Sequence, residues 1–215
     1  GVTVWSAQRH RMRSAIIATV RCLWAPREAA TYVERSELAG FYGMPRPQVA
    51  GRPWVGICMI ASLDGATAVD GRSGGLGSAD DRAVLATLRD AADVILVGAG
   101  TAATENYQPP ARPGQRIGVV TASGDVDTTN ALFASGAGFL VMPVDGPPQP
   151  AGVDALHAGR GRVDLAAAIA RIGEQVAGVR FVQVEGGPRL NGSLLAAGLV
   201  DEINLSVAPL AVGGS

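Results

Sequence analysis

The sequence predicts an α/β fold on a mostly parallel sheet, and three observations predict it. Val94-Ile95-Leu96-Val97 is an unbroken apolar run, the pattern of a strand buried on both faces. Strand-like runs alternate with helix-like segments along most of the chain, the order of a doubly wound sheet. And two of the strands end in glycine turns, Gly98-Ala99-Gly100-Thr101 and Glu185-Gly186-Gly187-Pro188. Glycine lets the backbone turn tightly and approach a ligand closely. A helix that starts at such a turn aims free N–H groups at an anion. Two turns of this kind read as one nucleotide held by two loops. Taken alone, the first loop is equally well explained as an ordinary strand-to-helix turn.

Composition narrows the class. A chain of 215 residues, 47% hydrophobic, with 29 Gly and 13 Pro, reads as a compact, loop-rich domain with a substantial core. A net charge of −1 suggests neither nucleic acid nor an anionic membrane as partner. No apolar run is long enough to span a bilayer. Cys22 and Cys58 lie far apart, neither a metal pair nor a disulfide framework, so a reduced cytoplasmic setting is the expectation. The two histidines, His10 and His157, argue against a histidine-based metal site, and no metal is expected.

Residues 1–30 differ from the rest: a basic cluster, Arg9 to Arg13, precedes an apolar run broken by Arg21. They read as a poorly ordered N-terminal arm or as extra residues upstream of the true start, with 31–215 the functional domain. Tyr32–Tyr42 is a short helix with Leu38 and Phe41 on one face. Met44–Arg52 is a Pro- and Gly-rich connector. Trp54–Ala61 is a strand that delivers Ser62-Leu63-Asp64-Gly65. Asp70–Gly77 is a Gly-dense loop, either mobile or lining a site that excludes bulk. Ser78 caps a helix running to about Ala92, with Asp81 three residues on as in a capping box. Its apolar stripe is Leu85, Leu88 and Ala92. Arg89, at the margin of that stripe, is either a surface residue or one aimed at a phosphate.

After the central strand and Gly98-Ala99-Gly100, any helix is short because Pro109 and Pro110 follow. About twenty residues on, Val120-Thr121-Ala122-Ser123 has no acid for a ribose 2′-hydroxyl, which fits a 2′-phosphate and hence NADP. Ile117–Thr121 and Phe139–Met142 are strands, Thr128–Ser135 is a short helix, and Pro143–Pro150 is an exposed loop. Asp164 caps a helix with Leu165, Ile169, Ile172 and Val176 on one face. Val179–Val184 is a strand, Pro188 opens a helix through Ala197, and Gly198 ends it. Val200–Ala208 is the last strand.

Ser62-Leu63-Asp64-Gly65, the Ser78 cap with Arg89, Val97-Gly-Ala-Gly-Thr101, Glu185-Gly-Gly-Pro188, Leu199-Val-Asp-Glu202 and Ala208-Pro-Leu-Ala-Val-Gly-Gly214 stand in one order. Over roughly residues 50–214 this pattern resembles the reductase domain of bacterial riboflavin biosynthesis, in the dihydrofolate-reductase-like superfamily. The resemblance implies a three-layer α/β/α fold with a mostly parallel mixed sheet, and a chain that stops short of the last strands. It implies NADPH-dependent reduction of the ribosyl group of 5-amino-6-(5-phosphoribosylamino)uracil to ribityl, in a homodimer. The implied cofactor positions are Ala61, Ser62, Gly75, Gly98, Gly100, Thr101, Glu105, Ser123, Gly186, Gly187, Pro188, Arg189 and Leu190. The implied substrate positions are Ser73, Arg89, Pro109, Arg112 and Glu185. Asp64 and Glu185 are the candidate catalytic carboxylates; the plainer alternatives are a turn cap for Asp64 and backbone hydrogen bonds for Glu185. The sequence departs from the family pattern at Gly75, where an aromatic is common, and at Glu105-Asn106-Tyr107, where an Asp pair and Pro are common. A pterin reductase of the same fold and a non-catalytic NADP-binding protein are the other readings.

Overall fold

The computed structural model describes residues 2–7, 19–24 and 33–213. In chain order the elements are β1 (Val2–Ala7), β2 (Thr19–Trp24), β3 (Val33–Glu34), α1 (Leu38–Tyr42), β4 (Trp54–Ser62), α2 (Ala79–Ala91), β5 (Val94–Gly98) and α3 (Ala99–Glu105). They continue with β6 (Arg116–Val120), α4 (Ala131–Ala134), β7 (Gly138–Met142), β8 (Asp154–His157), α5 (Leu165–Arg171), β9 (Phe181–Val184), α6 (Pro188–Ala196) and β10 (Glu202–Ala208). The chain divides into two compact units: Gly1–Pro45 with Ile57–Ala91 and Asp201–Ser215, and Arg46–Gly56 with Ala92–Val200.

In the first unit β10 pairs parallel with β1, and β1 and β3 flank β2 antiparallel. Val2–Ala7 and Thr19–Trp24 are therefore strands, and an unstructured arm does not describe them; the remainder of residues 1–30 lies outside the described residues. Helix α1 is shorter than expected and buries Leu38 and Tyr42, one turn apart, rather than Leu38 and Phe41. Helix α2 is capped as expected: Ser78 Oγ accepts from the amides of Asp80 and Asp81 at 3.2 and 3.1 Å. Asp81 looks inward, accepting from Ser206, and burial pushes its carboxyl above the usual value. The buried row of α2 is Asp80, Val84 and Leu88, with Leu85 only half-buried. Arg35 donates to the Asp80 carboxylate at 2.6 Å at the start of this row.

The second unit carries a parallel run ordered β9-β5-β6-β7-β8. Strand β5 is central, and Val94, Ile95, Leu96 and Val97 are at most 2% exposed, as their unbroken apolar run requires. Ile95, Val97, Ile117, Val119, Leu140 and Met142 pack on one face with Leu132 and Phe133 of α4. The opposite face is tight enough that a Cβ at Gly118 would lie 2.6 Å from both Leu96 Cδ2 and Phe139 Cζ. Helix α4 covers only half of Thr128–Ser135. Asp127 Oδ1 accepts from the amide and hydroxyl of Thr129, and Asn130 then caps through Phe133 N, so the first turn becomes a loop. Strand β8 is an edge strand that sequence reasoning missed; its mixed pattern has only Leu156 buried. Asp164 caps α5 and Pro188 opens α6, as expected.

No helix of the described residues is long and apolar enough to cross a membrane. None of their His, Cys, Asp and Glu side chains form a group of three that could hold a metal ion.

Candidate active site

The site is built where β5 and β9 end. The two strands run parallel with Ile95 opposite Gln183 and Leu96 opposite Val184, so both deliver their carboxyl ends to one edge. The ladder continues past the strands. Glu185 N donates to Leu96 O at 3.0 Å, and Gly98 N donates to Gly186 O at 2.7 Å. The two glycine turns singled out in the sequence are thus hydrogen-bonded to each other. Helix α3 starts from Gly98 and helix α6 from Gly187, so the first turns of both helices begin at this edge.

The approach is closest at Gly187. A Cβ at Gly187 would lie 2.6 Å from Thr101 Oγ1, and one at Gly98 would lie 3.5 Å from Gly187 N. Gly186 holds φ +89, a left-handed conformation that favours glycine. Gly100, by contrast, is exposed with nothing within 4 Å of its Cβ position, so the backbone is open there. Leu190 is buried and packs 3.9 Å from the Gly98 Cβ position, forming the floor of the turn, while Pro188 and Arg189 are exposed. Glu105 ends α3, half-buried. Ser123 lies three residues past the end of β6, on the same edge one strand over, and its hydroxyl accepts from Asp125 N at 3.3 Å.

Glu185 is half-buried at the same edge, and its Oε2 accepts from the hydroxyl of Tyr107 at 2.6 Å. Sequence reasoning did not single out Tyr107; its one signal was that an aromatic stands where the family pattern has Pro. Pro109 follows, exposed.

Arg112 is not brought to this edge. Its guanidinium donates to Ala92 O at 2.6 Å and to Asp93 Oδ1 at 3.0 Å, before the first residue of β5. Asp93 also accepts from the amides of Arg180 and Phe181. Burial opposes the charge, but those amides and Arg112 hold the Asp93 carboxyl below the usual value. A strand the length of β5 spans roughly 15 Å, so Arg112 secures the amino end of the sheet while Glu185 stands at the carboxyl end. A sequence supplies a charge but not its direction, and here the carbonyl of Ala92, which Gln115 Nε2 also reaches at 2.6 Å, and the Asp93 carboxylate take it.

The remaining expected residues belong to the first unit. Ser62 is buried, and its hydroxyl donates to Asp64. Asp64 also accepts from Gly213 N at 2.8 Å and Val212 N at 3.1 Å. The Ser62 hydroxyl and those two amides lower the Asp64 carboxyl from 3.8 to about 2. These hydrogen bonds make Asp64 a clasp joining the β4 turn to residues 212–213. Ala61 is half-buried just before it. Ser73 and Gly75 form a single 3-10 turn, and a Cβ at Gly75 would meet Val69 Cβ at 3.0 Å, which leaves no room for a larger side chain without adjustment. Arg89 is half-buried in the last turn of α2.

Residues 53–215 match the RibD C-terminal domain family. The chain belongs to that family. Similar curated proteins include the 2,5-diamino-6-ribosylamino-4(3H)-pyrimidinone 5′-phosphate reductase of Methanothermobacter thermautotrophicus, 28% identical over 176 residues that cover 76% of this chain and 81% of that protein. The riboflavin biosynthesis protein RibD of Mycobacterium tuberculosis is 30% identical over 175 residues, 78% of this chain and 45% of that one. The chain thus spans about half the length of the RibD proteins it matches. Among solved structures, the Saccharomyces cerevisiae riboflavin biosynthesis reductase Rib7 superposes with a TM-score of 0.63 at 21% identity, over 83% of this chain and 85% of that one, a likeness of fold. The α/β fold and mostly parallel mixed sheet expected from the RibD resemblance are the ones observed.

Proposed function

We propose that this RibD-family chain is an NADPH-dependent reductase of riboflavin biosynthesis that converts the ribosyl group of 5-amino-6-(5-phosphoribosylamino)uracil to ribityl. The observation that carries the reading is the 2.7 Å hydrogen bond from Gly98 N to Gly186 O, which makes one cradle of two glycine turns. The names of the relatives, a pyrimidinone phosphate reductase and RibD proteins, give the substrate class.

The cradle fits a dinucleotide phosphate in kind. Gly100 is open to solvent, two helices begin there, and the Thr101 hydroxyl lies at the Gly187 turn. Gly98, Gly100, Thr101, Gly186, Gly187, Pro188 and Arg189 would hold the cofactor, with Leu190 beneath them and Glu105 and Ser123 at the margin. NADPH, when bound, supplies a hydride to the ribosyl carbon bonded to nitrogen in its ring-opened imine form, a proton going to the nitrogen. Polarity and position are the protein's contribution. The Glu185 carboxylate accepts hydrogen bonds from sugar hydroxyls or pyrimidine amines and holds the acceptor carbon against the cradle.

NADPH oxidation by the full chain tests this, with the phosphoribosylaminouracil, its 2,5-diaminopyrimidinone counterpart and dihydrofolate as separate substrates. Oxidation with a ribosylaminopyrimidine phosphate and a product two hydrogens heavier is the expected result. Oxidation with dihydrofolate alone would move the chain to pterin reduction, and none with any substrate would leave at most a binding protein.

A further inference from the structure

We propose that Tyr107 is a positioning residue that sets the Glu185 carboxylate for the substrate. The proposal rests on the function proposed above and adds a residue to it.

The reasoning starts from the hydroxyl of a buried tyrosine. Tyr107 is 9% exposed and packs in the core with Ile95 and Val97. A phenylalanine would fill that space equally well, so packing explains the ring and not its oxygen. Buried tyrosine hydroxyls take a hydrogen-bond partner, and this one donates to Glu185 Oε2 at 2.6 Å across 78 residues of sequence. The distance is that of a charge-assisted bond.

The chain makes a particular effort to place the ring. Helix α3 is capped by Asn106, which holds φ 51 and ψ 64, a left-handed conformation that a non-glycine residue adopts at some cost. That reversal lets the next residue turn back into the core. On the other side, the Glu185 backbone is fixed by its bond to Leu96 O at 3.0 Å. The carboxylate is therefore held at both ends, by its main chain and by one of its oxygens. It stands beside Gly186, whose carbonyl joins the two glycine turns. A glutamate side chain left to itself samples several rotamers, and fixing it in advance removes that loss from substrate binding.

The test is steady-state kinetics on the full chain with NADPH and the phosphoribosylaminopyrimidine, for wild type, Tyr107→Phe, Glu185→Gln and the double variant. Tyr107→Phe keeps the ring, so thermal unfolding reports whether the fold is intact. The expected result is a substrate KM raised about tenfold, with the NADPH KM and the unfolding midpoint close to wild type. In the Glu185→Gln background the same change should have little further effect, because the two residues act as one unit. Wild-type kinetics in Tyr107→Phe would overturn the proposal, as would losses that multiply in the double variant. A wild-type chain that turns over no ribosylaminopyrimidine would overturn the proposed function and this role with it; turnover unaffected by Tyr107→Phe overturns this role alone.

Discussion

Gly187→Ala tests the cradle with a single methyl group. Gly187 has φ −73 and ψ −170, outside the left-handed region that favours glycine. What the substitution brings is a contact. The new Cβ would lie 2.6 Å from Thr101 Oγ1, about 0.8 Å inside ordinary van der Waals contact, but 4.0 Å from Thr101 Cβ. Relief comes by rotating the threonine hydroxyl away, at roughly 0.5–1.5 kcal/mol. For a chain of this size that is a fall of about 1–6 °C in Tm. The larger effect falls on the ligand. A hydroxyl bonded to a phosphate contributes roughly 1.5–3 kcal/mol, so NADPH binding should weaken about 10- to 100-fold. Equilibrium titration of NADPH and thermal unfolding, run on Gly187→Ala, Thr101→Ala and the double variant, separate the two effects. The double variant should recover Tm, because alanine at 101 leaves room for the methyl, while its affinity stays as low as that of either single variant. Unchanged NADPH affinity in Gly187→Ala, or losses of affinity that multiply in the double variant, would refute the reasoning.

Three further outcomes follow from the same structure. Gln183 is fully buried, and neither side-chain amide atom has a hydrogen-bond partner among the described residues; Gln183→Met should raise the unfolding free energy by roughly 1–3 kcal/mol in urea, and a fall would show that the amide is satisfied. Gly118→Ala forces a methyl against Leu96 and Phe139 and should cost about 1–3 kcal/mol by the same measurement, with no change as the contrary result. Asp64 has a folded-state pKa of about 2 against an ordinary 3.8, so its contribution is present above 3.8 and is lost as pH falls toward 2. The stability gap between wild type and Asp64→Asn should therefore close across that window, whereas a gap independent of pH would contradict the clasp.

The sequence was most informative where one physical constraint dominates. Four consecutive apolar residues leave β5 no face to show to water, Ser78 and Asp164 cap where free amides need an acceptor, and Pro188 suits the first turn of a helix, where the N–H has no intrahelical partner. The Gly186-Gly187 turn was visible for the same reason, since Gly186 has a left-handed φ of +89 and Gly187 lies close to Thr101. Legibility failed where the outcome depends on distant partners. Strand β8 has a mixed pattern that only an edge position explains. Thr128–Ser135 reads as helix until the Asp127–Thr129 turn competes for its first residues. Arg112 reads as a phosphate ligand, but its direction is set by Ala92 O and Asp93, twenty residues away in the chain. Glu185 was legible as a carboxylate at a strand end, yet its partner Tyr107 was not, because the bond spans 78 residues and depends on the left-handed turn at Asn106.

The most direct measurement on the shared cradle is an NMR titration of the isotopically labelled full chain with NADPH, following backbone amides. The amides of Gly98, Gly100 and Thr101 and those of Gly186 and Gly187 should shift together along a single saturation curve. Shifts confined to one turn, or a saturable response with both turns silent, would contradict a single dinucleotide held by the two.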